Sequence, residues 1–227
     1  MMRHLTQTTA LLVALALAWS VPAEAQASFP EIWSTNFARN YDLAPGSTLI
    51  IDNRVGNVVI EGVGGNTLDV RAKLTVRGAD AAAIAAARKA ITLHSNLIPD
   101  GRMIRTAGNE GGQNRWVAIV DYHIRLPRNC NVAITTVTSD YIQTIDITGS
   151  LQIRSFSGRI DLAATGAPMA VDTTNGDIVV RLKGTPRGDS RLTTLNGTVQ
   201  IYARDGLPFQ WIAESVSGRV RVSRKIT

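Results

Sequence analysis

The chain has 227 residues, of which 44% are apolar and 19% charged, with 19 glycines, 8 prolines and one cysteine. That is the composition of a folding globular chain and argues against disordered, collagen-like and disulfide-stapled classes. The net charge of +6 gathers late, with 12 basic and 11 acidic side chains in residues 28–150 against 11 and 6 in residues 151–227. Only Phe156, Tyr202, Phe209 and Trp211 supply aromatic rings to that basic third, which argues against a nucleic-acid binder.

At the N-terminus, Arg3 and His4 precede an apolar stretch, Ala10–Trp19, closed by Pro22. A bilayer span takes about 20 such residues, so the stretch is too short to remain an anchor. The small-x-small triplets Ala23-Glu24-Ala25 and Ala25-Gln26-Ala27 follow, and residues 1–27 are expected to be a cleaved signal peptide, placing the mature chain in the periplasm or cell envelope or outside the cell. Cys130, the lone cysteine, shares the parity of Val132 and Ile134 and reads as a buried small hydrophobe rather than a nucleophile.

Residues 28–130 are expected to form an N-terminal β region. The runs at 47–53 (STLIIDN), 58–63 (VVIEGV) and 67–76 (TLDVRAKLTV) are separated by Val55-Gly56-Asn57 and Gly64-Gly65-Asn66, the pattern of strands between turns. Residues 79–90 are alanine-rich, with Ile84, Ala87 and Ile91 at helical spacing and Asp80 placed to cap, which predicts a short helix covering one sheet face. Residues 93–98 and 102–106 flank Pro99-Asp100-Gly101, a hairpin turn, and 108–114 form a loop. Residues 115–126 (RWVAIVDYHIRL) predict a long strand buried on one side and stopped by Pro127, with His123 on its polar face and without a partner. Neither His94 nor His123 has carboxylate or thiol neighbours at a metal-ligand spacing, so no metal or other cofactor is expected.

Residues 131–227 repeat. TSDYIQT, FSGRIDL, TNGDIVV, LNGTVQI and VSGRVRV align on Ile142, Ile160, Ile178, Val199 and Val220, spaced 18, 18, 21 and 21 residues apart. Leu162, Val180, Ile201 and Val222 continue the apolar parity two residues on, Thr144 being the exception, and Gly149, Gly166, Gly184 and Gly206 mark a second turn. One unit has too few apolar side chains to offset the ordering of its own backbone, so neighbours must share ladder hydrogen bonds and a continuous interior. The expected fold class is all-β, a stack of β-strand repeats of the β-solenoid or β-helix kind with one short helix in the N-terminal half, the array of residues 131–227 continuing the N-terminal region as one domain. The alternative is an antiparallel β-sandwich in which Asn175-Gly176 and Asn196-Gly197 close hairpins.

Stacking would put Gly158, Asn175, Gly176, Asn196, Gly197 and Gly218 at structural turns. It would also align Tyr141, Arg159, Asp177, Thr198 and Arg219 in one outward column and Gln143, Asp161, Val179, Gln200 and Arg221 in the next. These columns are chemically mixed, unlike a surface built for ice, calcium or a polyanion. Arg159 and Asp177 are expected to pair across strands. Ile178→Asp is expected to unfold the array and Asp177→Ala to be nearly silent. Arg219, Arg221, Arg224 and Lys225 on the last strand read as charge guarding an exposed edge, and as candidate contacts to an anionic surface.

YDLAPGSTLIIDNRVGNVVIEG (41–62), VDYHIRLP (120–127), TTNGDIVV (173–180) and TLNGTVQI (194–201) together resemble the DUF4097 family of exported bacterial β-repeat, adhesin-like proteins. Ser139, Ser157 and Ser217 depart from the family's asparagine at the turns. The resemblance implies a non-catalytic envelope protein, an adhesin-like binder or scaffold whose partner would be an envelope protein, a glycan or an anionic membrane surface. It also allows an accessory or sensor role in an envelope-stress system. A contrasting reading is a polysaccharide lyase or hydrolase on a β-helix, with Asp161 and Arg159, or Asp172 and Asp177, as acid and base.

Overall fold

The computed structural model describes residues 29–108, 115–165, 168–185, 188–204 and 211–225; the expected signal segment and the turn glycines Gly166 and Gly206 lie outside them. Alternation of apolar and polar residues along the described chain becomes thirteen strands, with a single helix in the alanine-rich stretch, so the protein is all-β apart from that helix. The strands are β1 (Glu31–Asp42), β2 (Thr48–Val55), β3 (Val58–Val63), β4 (Thr67–Gly78), β5 (Thr92–Ile98), β6 (Gly101–Ala107), β7 (Trp116–Pro127), β8 (Asn131–Ile145), β9 (Leu151–Thr165), β10 (Met169–Asn175), β11 (Ile178–Leu182), β12 (Ser190–Arg204) and β13 (Trp211–Lys225). Helix α1 (Ala81–Ala90) lies between β4 and β5, and the Asp80 carboxylate caps it by accepting from the Ala83 N–H at 2.7 Å. Its buried face, Ala83, Ile84 and Ala87, packs on β4, β7 and β1.

The repeat is a pairing rule. β8 runs parallel to β9, β9 to both β10 and β11, these two to β12, and β12 to β13. Each unit has a first arm before its corner and a second arm after it, and the anchors meet in register: Ile142 with Ile160, Ile160 with Ile178, Ile178 with Val199 and Val199 with Val220. The hairpins that a sandwich would place at Asn175-Gly176 and Asn196-Gly197 are not formed. β10 and β11, on either side of Asn175-Gly176, pair with β9 and β12 and not with each other.

The corners explain why. A Cβ on Gly176 would lie 2.0 Å from the Gly158 carbonyl oxygen, one on Gly197 2.1 Å from that of Gly176, and one on Gly218 1.9 Å from that of Gly197. No side chain fits where each corner rests on the backbone of the one before. The carbonyls so exposed also accept side-chain hydroxyls from the next unit: Thr194 Oγ1 donates to Gly176 at 2.9 Å and Ser215 Oγ to Gly197 at 2.7 Å. Asn53, Thr136, Ser155, Thr173 and Thr194 form a buried polar column along the inner side of the corners, in register from unit to unit. Outside the corner, the Asn196 amide donates to Asn175 Oδ1 at 2.8 Å.

The N-terminal strands extend this stack. β2 pairs with the first arm of β8 and β3 with its second arm, while β6 and β7 lie parallel on their far sides. β3 therefore lies between β7 and β8, which are consecutive in the chain, and β2 between β6 and β8. β5 closes the outer edge as the antiparallel partner of β6 across Pro99-Asp100-Gly101, while β4 adds antiparallel to β7 and β1 antiparallel to β4. Below them runs a core of fully buried side chains that includes Leu49, Ile51, Ile60, Ile134, Ile153, Ile160, Val180 and Ile201. Thr144, the exception to the apolar parity, is buried among them.

Three expectations are corrected. Arg159 does not pair with Asp177; its Nη2 lies 3.5 Å from Asp161, which also takes the Arg181 guanidinium. Residues two apart share a strand face, so Asp161 is the carboxylate within reach. Asp177 at its corner accepts from the Thr198 N–H at 2.7 Å, so alanine there removes a hydrogen bond worth about 0.5–1.5 kcal/mol rather than nothing. Val179, placed in an outward column, is 3% exposed.

The corner contact gives a paired test. Gly197→Ala forces the Gly176 carbonyl aside and is expected to destabilise the fold by about 1–3 kcal/mol, whereas Gly184→Ala, with nothing within 4 Å of its Cβ, should leave the melting temperature within a degree or so of the parent. Thermal unfolding of the two variants by circular dichroism checks the difference.

Candidate functional site

The terminal strand carries the basic residues singled out in the sequence. Arg219 and Arg221 are exposed on the second arm of β13; the side chains of Arg224 and Lys225 lie outside the described residues. β13 pairs only with β12 among the described strands. Its inner positions are uncovered: Val220 is 43% and Val222 53% exposed, while their neighbours Val199 and Ile201 are 0% and 1%. Apolar side chains beside unsatisfied backbone make a sticky edge, and adjacent guanidiniums oppose its pairing with another strand. Replacing Arg219 and Arg221 together with valine is expected to leave the fold intact and to produce concentration-dependent association, read by sedimentation velocity.

The predicted outward columns form as registered pairs, Tyr141 beside Arg159 and Thr198 beside Arg219, Gln143 beside Asp161 and Gln200 beside Arg221. A third column was missed. Val137, Phe156, Thr174 and Leu195 each follow a residue of the inner polar column, and Val216 follows Ser215, the register neighbour of Thr194; Val137, Phe156, Leu195 and Val216 are 39%, 54%, 43% and 72% exposed. A shallow depression of about 290 Å³ opens beside Phe156, between Arg154, Asp172 and Thr174. The signal was present in the sequence as a recurring residue just before the turn, but Thr174 breaks its apolar character.

Of the two candidate acid–base pairs, Asp161 and Arg159 are brought together, at 3.5 Å. Asp161 is held between two guanidiniums. Asp172 stands in the first arm, on β10, and Asp177 at the corner beyond it, bonded to the next unit. His123, expected without a partner, has its Nε2 3.2 Å from Glu61 Oε1, and Arg125 reaches the same carboxylate at 3.7 Å. β3 and β7 pair in register at Val59 with His123 and Glu61 with Arg125, a cross-strand proximity that spacing along the chain does not reveal. This face also holds a groove of about 770 Å³ lined by Asp69, Arg71, Lys73, Asp121 and His123 among others. Among the described residues, no three His, Cys, Asp or Glu side chains cluster as metal ligands, and no helix is long and apolar enough to cross a membrane.

Two titratable groups are perturbed. Burial raises the Cys130 thiol above its usual range, and its Sγ lies 3.5 Å from the Ala44 carbonyl, consistent with a core residue. Burial likewise pushes Tyr122 from 10.0 to about 12, against the lowering effect of its bond to Thr106 and with a smaller push from Asp52. The neutral phenol is the folded form, so its contribution is complete below pH 10 and is lost as pH rises from 10 toward 12. Roughly 3 kcal/mol of stability should disappear over that window. Denaturant titrations across it check the loss, which Tyr122→Phe should largely remove.

No protein-family model matches the chain, and no curated protein matches it. Several solved structures do. A putative cell adhesion protein from Clostridium sporogenes is 10% identical over 84% of this chain and 100% of its own, with a TM-score of 0.42. A putative adhesin from Bacteroides fragilis is 10% identical over 83% of this chain and 97% of its own, at 0.31. Another, from Parabacteroides distasonis, is 9% identical over 83% and 97%, at 0.26.

Proposed function

We propose that the chain is an exported, non-catalytic binding protein of the bacterial envelope, built as a β-solenoid-like scaffold that presents the first-arm face to a macromolecular partner. The leader-like segment 1–27 supports export. The observation that carries the binding reading is the exposed column of Val137, Phe156, Leu195 and Val216, which runs across successive units on one face. Side chains fixed on a hydrogen-bonded ladder lose little freedom when covered, so a modest apolar stripe on such a support is an economical contact surface. Polar groups border it: Arg154 and Asp172 are register partners, and Arg191 pairs with Glu214 at 3.2 Å.

A protein surface is the favoured partner over a membrane. Arg219 and Arg221 lie past the corner, on the second arm, so the apolar stripe and the basic pair do not combine into the amphipathic face that binds a lipid surface. Phe156 is the single aromatic ring in the stripe, fewer than sugar stacking along a glycan calls for.

The double substitution Phe156→Asp with Leu195→Asp is expected to keep the parent melting temperature and to lower recovery of cross-linked envelope partners about tenfold or more. Recovery of the same partners at parental yield would remove the stripe from the reading. Turnover of an acidic polysaccharide by the parent protein would remove its non-catalytic part.

A further inference from the structure

At the N-terminal end of the stack the two arms part. β1, β4 and β7 form one wall and β5 and β6 the other, and between them opens a cleft of about 410 Å³, within the roughly 300–1,000 Å³ of small-molecule sites. Phe37, Val70, Ala72, Leu93 and Ile104 line it with apolar surface. Tyr122 adds its ring, and its hydroxyl is already bonded to Thr106 Oγ1 at 2.7 Å.

One charged residue faces this apolar space. In the antiparallel β1–β4 pair, Phe37 lies opposite Ala72, Arg39 opposite Val70 and Tyr41 opposite Leu68, and directly opposed residues share a sheet face. Ala72, Val70 and Leu68 are buried, so Arg39 projects from the same face, itself exposed at the rim of the cleft on the edge strand β1. Its Nη1 donates to the Ala38 carbonyl at 2.9 Å, and no carboxylate among the described residues pairs with it. His94 also borders the cleft, its Nε2 2.8 Å from Thr92 Oγ1. The walls are held apart by Arg102 of β6, whose guanidinium lies 4.0 Å from the Tyr41 ring on β1 and donates to Ser95 on β5 at 3.0 Å.

We propose that this cleft binds a single-chain amphiphile with an anionic head, a carboxylate or a phosphate, its tail among Val70, Ala72, Leu93 and Ile104 and its head on Arg39. A rim guanidinium with no carboxylate partner is free to take an anionic head at the mouth of the cleft, and the apolar walls a hydrocarbon chain. The site is independent of the first-arm stripe, and its failure leaves that reading untouched.

Calorimetric titration of the full chain with decanoate and decyl phosphate, below their micelle concentrations, tests it. Both anions should bind, decanol about tenfold or more weaker, and decyltrimethylammonium weaker still. Arg39→Gln should weaken the anions about tenfold while leaving decanol unchanged, and Leu93→Trp should abolish binding of all three. Octanoate should bind about tenfold more weakly than decanoate, since each methylene contributes about 0.8 kcal/mol; this readout needs no variant. Tighter binding of decyl phosphate identifies the head as phosphate, and tighter binding of decanoate identifies it as carboxylate. Absence of binding, equal affinity for decanol and decanoate, or anion affinity unchanged in Arg39→Gln would each overturn the proposal.

Discussion

The contact on which the rest depends is backbone against backbone at the corner. Each glycine leaves room for the carbonyl of the preceding corner, and the hydroxyl three residues earlier bonds that carbonyl from inside. Because the approach is tighter than any Cβ permits, the corner fixes where one unit sits on the next. Isoleucine and valine anchors then meet their equivalents without further instruction. From β9 onward the 21-residue and 18-residue units differ in the returns between arms, so unequal repeat lengths preserve one register, whereas between β8 and β9 the register shifts by one residue at the corner, between Thr138 and Tyr141.

Much of this was legible in the sequence. The anchors, the helix with Asp80 at its cap, the turn at Pro99-Asp100-Gly101 and the one-sided burial of β7 follow from local periodicity and turn chemistry. What local pattern does not carry is the order of units in space. Nothing near residues 58–63 says that they will lie between β7 and β8, because that placement is decided by pairing across some 60–80 residues of chain. β1 is not legible in the sequence: Thr35 and Arg39 interrupt the apolar alternation of Trp33, Phe37 and Tyr41, and its length is set by the partner strand β4.

The two candidate sites differ in the same way. The first-arm stripe is a one-dimensional feature, recoverable from the repeat once the residue before each turn is compared across units. The cleft is not, since its lining comes from β1, β4, β5, β6 and β7 and exists only where their arms diverge. Asp161 illustrates the intermediate case. Its outward position was foreseen, but its choice of Arg159 and Arg181 over other cations depends on reach across a face, which spacing alone leaves open.

The two ends of the stack are finished differently. One is closed by antiparallel strands and the helix; at the other, Val220 and Val222 look onto solvent with a single neighbouring strand among those described. In a linear array, each unit borrows its stability from those beside it, so the unit with one neighbour is held least. Loosening therefore begins at the carboxyl end and travels inward one step at a time, making β13 the place where backbone amides exchange and proteases enter first, long before the capped end gives way.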